Sequence, residues 1–364
     1  MFRKSAPPTK SATNVVIIDT APCEKSLKLQ VGAELIAPIR AVVLAEVQKD
    51  AALPGFRKGK APADLVERQY AKTIHDETLQ RAMRHALEQA AKDHGLKSVG
   101  PFEVKSVDFD ESRGLSLEAT VEVEPAFKLA SYKGISLTRV AETVSWQDVN
   151  QAVAKLQESM AQLVPAKEGQ AKERQVPTLD DELAKDLGFE NLATMRSHVE
   201  AKLSEQKRFA NEQALEGALC DELLKRHTFD VPAKLVGHQA ERMKRDFTVR
   251  LLLSGMPEEQ VTDHVAKYTE QLRQAGERHV KLAFILDRIA EQESLAVTQD
   301  ELVGRLWQLA QRWKKDPAEV RKILDAQGLW SSVVSALRQE KTIRLLLSSA
   351  SIENSSPAAQ PQQS

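Results

Sequence analysis

An α+β domain built on an antiparallel sheet, followed by an all-α region of long helices, is the architecture this 364-residue sequence predicts. Three observations lead there. The first 130 residues hold several half-polar stretches with period-two alternation. From Thr178 to Ala350 the chain shows only helical periodicity. Aromatic residues are 5% of the chain against 42% hydrophobic overall, which suits helices built on Ala and Leu.

Residues 1–13 are polar and proline-containing and read as a loose start. In the α+β domain, 14–130, Val15 to Ile18 form an apolar run, and Leu27, Leu29 and Val31 alternate with polar neighbours. The clearest strand places Leu115, Leu117, Ala119, Val121 and Val123 on one face. Phe102 and Val104 change phase with Val107 and Phe109 near Ser106, which predicts a bulge. Half-polar strands predict an antiparallel sheet with one face covered. Helical spacing of Leu35, Ile39, Val42, Val43 and Val47 supplies one cover, with Pro38 placed near its first turn. Pro62 opens a second helix carrying Leu65 and Val66. A third carries Ile74, Leu79, Met83 and Leu87 and stops at Gly95.

Between these helices stands Leu53-Pro54-Gly55-Phe56-Arg57-Lys58-Gly59-Lys60-Ala61-Pro62, a loop with three cations, no acid and an exposed-type aromatic. Its chemistry alone leaves two readings open, a solvated basic turn or a binding element. Residues 131–177 contain an extended stretch, a helix opened by the capping box Ser145/Asp148 and ending at Pro165, and a polar loop, 165–177. The region 178–350 contains a helix from Leu192 to Arg226, one from Val231-Pro232 to Ser254, one from Met256-Pro257 to about Glu293, one opened by Thr298/Glu301, one opened by Asp316-Pro317, and a last one ending near Ala350. Residues 351–364 carry a single charge and read as a disordered tail.

Lys plus Arg is 51 and Asp plus Glu is 52, which excludes a globally basic nucleic-acid coat, and no DNA partner is expected. Within the first 130 residues the balance is only +1, which argues against an RNA-binding protein acting through the loop alone. No apolar stretch reaches the 18 residues of a membrane span, so no membrane partner is expected. Two distant cysteines and the lack of a signal-peptide pattern behind Met1 predict a cytoplasmic protein without a disulfide framework. There is no His-Glu-x-x-His, phosphate loop or nucleophile elbow, so no metal, cofactor or catalytic residue is assigned. Met160, Met195, Met243 and Met256, scattered along the helical half, together read as adaptable binding surface.

At Gly55-Phe56-Arg57-Lys58-Gly59-Lys60-Ala61-Pro62 the sequence resembles the trigger factor family of bacterial chaperones, whose Gly-Phe-Arg-x-Gly-Lys-x-Pro loop joins two helices of an α+β domain. Val231-Pro232, Asp316-Pro317, Gly328 and Glu340-Lys341 resemble the family's helical C-terminal domain in the same order. The resemblance spans about 14–350. It implies docking on the large ribosomal subunit, on ribosomal protein and rRNA at the tunnel exit, through Gly55, Phe56, Arg57, Lys58, Gly59 and Lys60. It also implies a helical cradle for nascent and unfolded polypeptides, and leaves room for a weak homodimer. The family's third domain isomerises X-Pro bonds. In its place this chain has residues 165–177, and Trp146 is the only aromatic between Lys133 and Gly188. Lowering a barrier of about 18–20 kcal/mol needs an apolar pocket around the twisted amide, so the isomerase function is not carried over. A cryptic isomerase site elsewhere in the chain is the enzymatic alternative. The helical body also resembles the chaperone module of the periplasmic protein SurA, and the missing signal peptide argues against that compartment.

Overall fold

The computed structural model describes residues 13–140, 143–160, 162–164 and 173–354. The chain forms two compact units, Met1–Lys128 with Thr228–Phe284, and Leu129–His227 with Ile285–Ser364. This division cuts across the boundaries read from the sequence, because helices from the second half of the chain group with the sheet.

In the first unit, β1 (Thr13–Ala21), β2 (Glu24–Val31), β3 (Glu103–Asp110) and β4 (Gly114–Glu122) form one antiparallel sheet in the order β1-β2-β4-β3. The register of β3 shifts between Val104 and Ser106, the position of the bulge expected from the phase change. Helices α1 (Ala33–Asp50), α2 (Ala63–Gln69) and α3 (Ala71–Asp93) follow the predicted order, with α1 and α3 against the sheet. Leu27, Leu29, Leu115, Leu117 and Val121 of the sheet pack with Ile36 of α1 and a small-residue row of α3, Ala82, Ala86 and Ala90. Of the stripe read from the sequence, Ile74 and Leu87 are buried as expected, while Leu79 and Met83 only flank the core. Small side chains let the helix approach the strands closely, and hydropathy alone gives them little weight. On α1 the buried residues are Ile36 and Val43, while Leu35 and Val42 are exposed. Pro38 lies in the helix interior, one turn further in than expected.

The N-terminus of α7 (Ala233–Leu253) meets the sheet at β4. Glu122, buried on β4, accepts the backbone N–H groups of Lys234 at 2.7 Å and Leu235 at 3.2 Å, and so caps a helix whose own N-cap residue is Pro232. Lys234 Nζ reaches Glu103 at 2.5 Å and Glu24 at 3.5 Å. Phe127 stacks on Phe229 with ring centroids 4.1 Å apart. α8 (Glu258–Lys267) packs on α7, and α9 (Thr269–Gln292) follows. One helix was expected from Met256-Pro257 onward. It breaks at Tyr268, where the Val265 carbonyl accepts from both the Tyr268 N–H and the Thr269 hydroxyl, and the Tyr268 ring meets Phe247 edge-on.

In the second unit, β5 (Ser136–Arg139) pairs in parallel with β8 (Ser351–Asn354). The start of the expected disordered tail is therefore a strand. Its partner lies far away in sequence, and local composition does not report such a pairing. α4 (Trp146–Ser159) carries the predicted capping box, but it stops short of Pro165. Beyond it, β6 (Gln162–Val164), in the stretch read as the end of that helix, pairs with β7 (Glu173–Gln175), in the stretch read as a loop. α5 (Asp181–Asp186) then leads to α6 (Leu192–Arg226), which at 35 residues is about 52 Å long. α6 packs on α12 (Trp330–Ser348), and α10 (Gln299–Trp313) packs on α11 (Pro317–Ala326) and α12. The Tyr132 hydroxyl donates to Glu293 at 2.6 Å, and burial, reinforced by that carboxylate, pushes the phenol up to about 12.

Candidate functional site

The basic loop is a built structure on a fixed base. Ala51 and Ala61, at its two ends, are buried with Val66 in a small cluster that Leu44, Val47, Leu53 and Tyr70 complete. The Gln48 side-chain amide donates to the Ala61 carbonyl at 2.7 Å and ties α1 to the loop's return. Two successive turns rise from this base. The Phe56 N–H donates to the Leu53 carbonyl at 3.1 Å across Pro54 and Gly55. The Lys60 N–H donates to the Arg57 carbonyl at 2.9 Å across Lys58 and Gly59. Gly55 has φ +84° and Gly59 has φ +75°, so both turns carry the positive φ at the third position that defines type II.

Phe56 therefore stands at the apex where the two turns meet, 43% exposed. Arg57, Lys58 and Lys60 are exposed around it. Lys58 Nζ lies 3.0 Å from Asp50 at the end of α1. Among the described residues, Arg57 and Lys60 have no ion-pair partner. The structure thus brings Gly55, Phe56, Arg57, Lys58, Gly59 and Lys60 into one protruding tip. An exposed aromatic flanked by cations can enter an apolar recess while the charges meet carboxylates or phosphates. Asp50 is the loop partner that sequence reading missed; as the last residue of α1, directly before the buried Ala51, it gave no pattern to find it by.

The helical half exposes apolar side chains other than the methionines. Met195 is fully buried, which corrects the surface role read for it; Met160, Met243 and Met256 are partly buried. In the first unit, the end of α7 instead exposes Val249, Leu252 and Leu253, the last 83% exposed. In the second, α10 exposes Val303 and, one turn on, Trp307 at 56%. These residues sit beyond the part of each helical stripe that its own core consumes. Among the described residues no group of three metal-ligating side chains converges, and no helix is long and apolar enough to cross a membrane.

An α+β domain with a cation-flanked aromatic tip, in a chain with long helices that expose large apolar residues, defines a class of protein-binding chaperones. The comparisons are specific. A family model described as bacterial trigger factor protein matches residues 13–156, and one described as its C-terminus matches residues 191–348. A trigger factor from Geobacillus sp. (strain WCH70) is 24% identical over 425 residues, covering 92% of this chain and 97% of the relative. One from Anaeromyxobacter sp. (strain Fw109-5) is 24% identical over 426 residues, covering 93% and 99%. A solved chain of the trigger factor chaperone, described for promiscuous substrate recognition in folding and assembly, shares the fold with a TM-score of 0.51 at 18% identity, over 92% of this chain and 99% of that one. The chain belongs to the trigger factor family. The Geobacillus alignment uses about 335 residues of this chain across its 425 positions, so about 90 positions have no counterpart here. The two family models leave only residues 157–190 between them, and the chain lacks the family's middle prolyl isomerase domain.

Proposed function

We propose that this chain is a cytoplasmic, ATP-independent chaperone that docks on the large ribosomal subunit beside the exit tunnel and holds nascent or unfolded chains there. The observation that carries the reading is the loop tip: Phe56 raised between two type II turns with Arg57 and Lys60 beside it, neither with an ion-pair partner among the described residues. Phe56 enters an apolar contact at the docking site. Arg57 and Lys58 pair with ribosomal carboxylates or rRNA phosphates. Lys60 adds positive field, and Gly55 and Gly59 allow the turns. The sequence divides this labour between a docking domain, 14–130, a connection, 131–177, and a holding region, 178–350. The exposed apolar residues of α7 and α10 hold clients weakly, so that release needs no nucleotide.

The experiment is ribosome cosedimentation of the full chain against Phe56→Ala/Arg57→Ala/Lys58→Ala. The three side chains are exposed at a loop apex, so circular dichroism should not change while cosedimentation is lost. Wild-type binding should weaken as salt rises, because charged contacts are screened. Undiminished cosedimentation of the triple variant removes the docking reading. Failure of the wild type to suppress aggregation of a refolding protein at stoichiometric ratios removes the holding reading.

A further inference from the structure

In the second unit, α10 carries a stretch whose composition departs from the rest of the chain. From Leu302 to Lys315 it holds Arg305, Arg312, Lys314 and Lys315, two of the chain's four tryptophans, and no Asp or Glu, although the net charge of the whole chain is −1. Arg305 pairs with Glu340 and Lys315 with Glu319. Arg312 and Lys314 are exposed, and among the described residues neither has an ion-pair partner. The helix turns Leu306, Leu309 and Ala310 to the core that it shares with Val320 and Leu324 of α11, and neither tryptophan belongs to that core. Trp307 is 56% exposed, and Trp313, the last residue of the helix, is 40% exposed. Gln308 and Gln311 are exposed beside Trp307. Gly304, one turn earlier, leaves a notch next to that ring. A Cβ there would meet no heavy atom within 4 Å, so packing does not demand glycine at a position where it weakens the helix. The stop of the helix is also uncommon. α3, α5, α7 and α11 are followed by glycines with positive φ, whereas α10 ends at Lys314 with φ +52°. A lysine held there carries a left-handed backbone penalty that glycine would remove.

We propose that the C-terminal half of α10 is a binding surface for single-stranded RNA. The two indole rings are flat platforms for unpaired bases, and Arg312 and Lys314 meet phosphates. The Gln308 and Gln311 amides donate and accept at base edges and 2′-hydroxyls. Six residues separate the rings, about 9 Å along the helix axis and about a third of a turn around it. A strand that stacks on both must bend round the end of the helix. A single strand can do so, whereas a duplex keeps its base faces stacked inside and offers them to neither ring. Charge complementarity favours this occupant over an apolar polypeptide, which would cover Val303 and Trp307 and leave Arg312 and Lys314 unanswered. The lysine at the helix stop has the same logic: its charge is kept where glycine would relieve the backbone. The surface is separate from the basic loop, and the inference does not depend on docking through that loop. Trp307, counted above among the exposed apolar residues, serves a base or a client but not both at once.

The test uses the full chain and a fluorescein-labelled single-stranded RNA of about 12 nucleotides, within the site sizes of such proteins, followed by anisotropy. The wild type should bind it, with log K falling against log salt at a slope of about −1.4 for two phosphate contacts on a single strand. Trp307→Ala and Trp313→Ala should each weaken binding about tenfold, the lower part of the range for one base stacked on an aromatic ring. Arg312→Gln/Lys314→Gln should bring the salt slope close to zero. Lys314→Gly separates binding from folding: it should raise the urea midpoint by relieving the left-handed backbone and still weaken the RNA. The loop variant Phe56→Ala/Arg57→Ala/Lys58→Ala should bind the RNA as the wild type does. The same sequence as a duplex, the matching single-stranded DNA, and a poly-glutamate peptide used as competitor should all bind more weakly. Absence of saturable binding, tryptophan variants that bind as the wild type does, or loss of binding in the loop variant each overturns the proposal. Equal binding of the duplex, the DNA or the poly-glutamate overturns it as well, because charge alone would then explain the surface. Ribosome cosedimentation of the same variants keeps the two readings apart: Trp313→Ala should lose the RNA and still dock through the loop.

Discussion

The two glycines of the basic loop make a paired prediction, because their surroundings differ while both have positive φ. Both have positive φ, +84° at Gly55 and +75° at Gly59. An added Cβ at Gly55 meets no heavy atom within 4 Å, whereas at Gly59 it would lie 3.0 Å from the Lys49 carbonyl oxygen and 3.6 Å from Lys49 Cα. Gly55→Ala therefore carries only the left-handed backbone penalty, about 1–2 kcal/mol, part of which is offset by a stiffer unfolded chain. Gly59→Ala carries that penalty and a crowded contact with helix backbone, which cannot rotate away as a side chain can. By analogy with overpacking, the contact adds about 1–3 kcal/mol. The order should be wild type, then Gly55→Ala about 1 kcal/mol below, then Gly59→Ala about 2–4 kcal/mol below. Urea unfolding followed by circular dichroism reads the order, and cosedimentation reads its consequence. Gly59→Ala should dock less well than Gly55→Ala, because relieving the clash opens the turn that aims Arg57. A Gly59→Ala variant as stable as Gly55→Ala and equal to wild type in docking refutes the reasoning.

Three further outcomes follow from other parts of the chain. Glu122→Ala leaves the first N–H groups of α7 without their acceptor and should destabilise the protein by about 1–2 kcal/mol in urea titration, with Glu122→Gln falling between. Asp148 is held at about 2 chiefly by the Lys207 ammonium, with Ser145 adding hydrogen bonds. Its folded value lies below the unfolded one of about 3.9, so its contribution is complete above that pH and is lost as pH falls through about 2. Asp148→Asn should therefore lower the urea midpoint at pH 7 and leave it close to wild type near pH 2. In a protease-coupled proline-peptide assay the chain should leave isomerisation at its uncatalysed rate of tens to hundreds of seconds. Turnover abolished by a point mutation within the chain would reveal a site in it.

What was legible in the sequence is what local chemistry enforces. Ser145/Asp148 and Thr298/Glu301 were read as capping boxes, and both close in the structure, because the partners are three residues apart. The bulge at Ser106 and the alternation of β4 were legible for the same reason: strand faces are written residue by residue. Less was legible where the partner is remote or the side chain small. β8 exists only because Ser136–Arg139 lies beside it. The Ala82, Ala86 and Ala90 row is invisible to hydropathy although it sets how closely α3 lies on the sheet. The loop residues were found by motif, but the Lys58–Asp50 pair was not, and neither was Glu122, an ordinary strand carboxylate until α7 arrives above it.

In the shortened middle of the chain, the described residues close the connection between α4 and α6 through local contacts. Cutting a domain out of a connection normally uncovers the apolar patches it packed on and frees two chain ends. Here the segment between the matched regions closes on itself. Asp180 caps α5 through the N–H groups of Glu182 and Leu183, Asp181 accepts from the Leu192 N–H, and Asn191 caps α6. The Gln157 side chain donates to the Pro177 carbonyl at 2.8 Å and fastens the far end of α4 to the segment that follows β7. Under these polar closures Val149 and Val153 meet Ala184 and Met195, the last two without exposed surface. Short caps and one small core thus satisfy the backbone groups that a missing domain would otherwise leave unpaired. The connection holds α4 against α6 by its own contacts, so the helical framework keeps its geometry whether or not proline chemistry is attached to it.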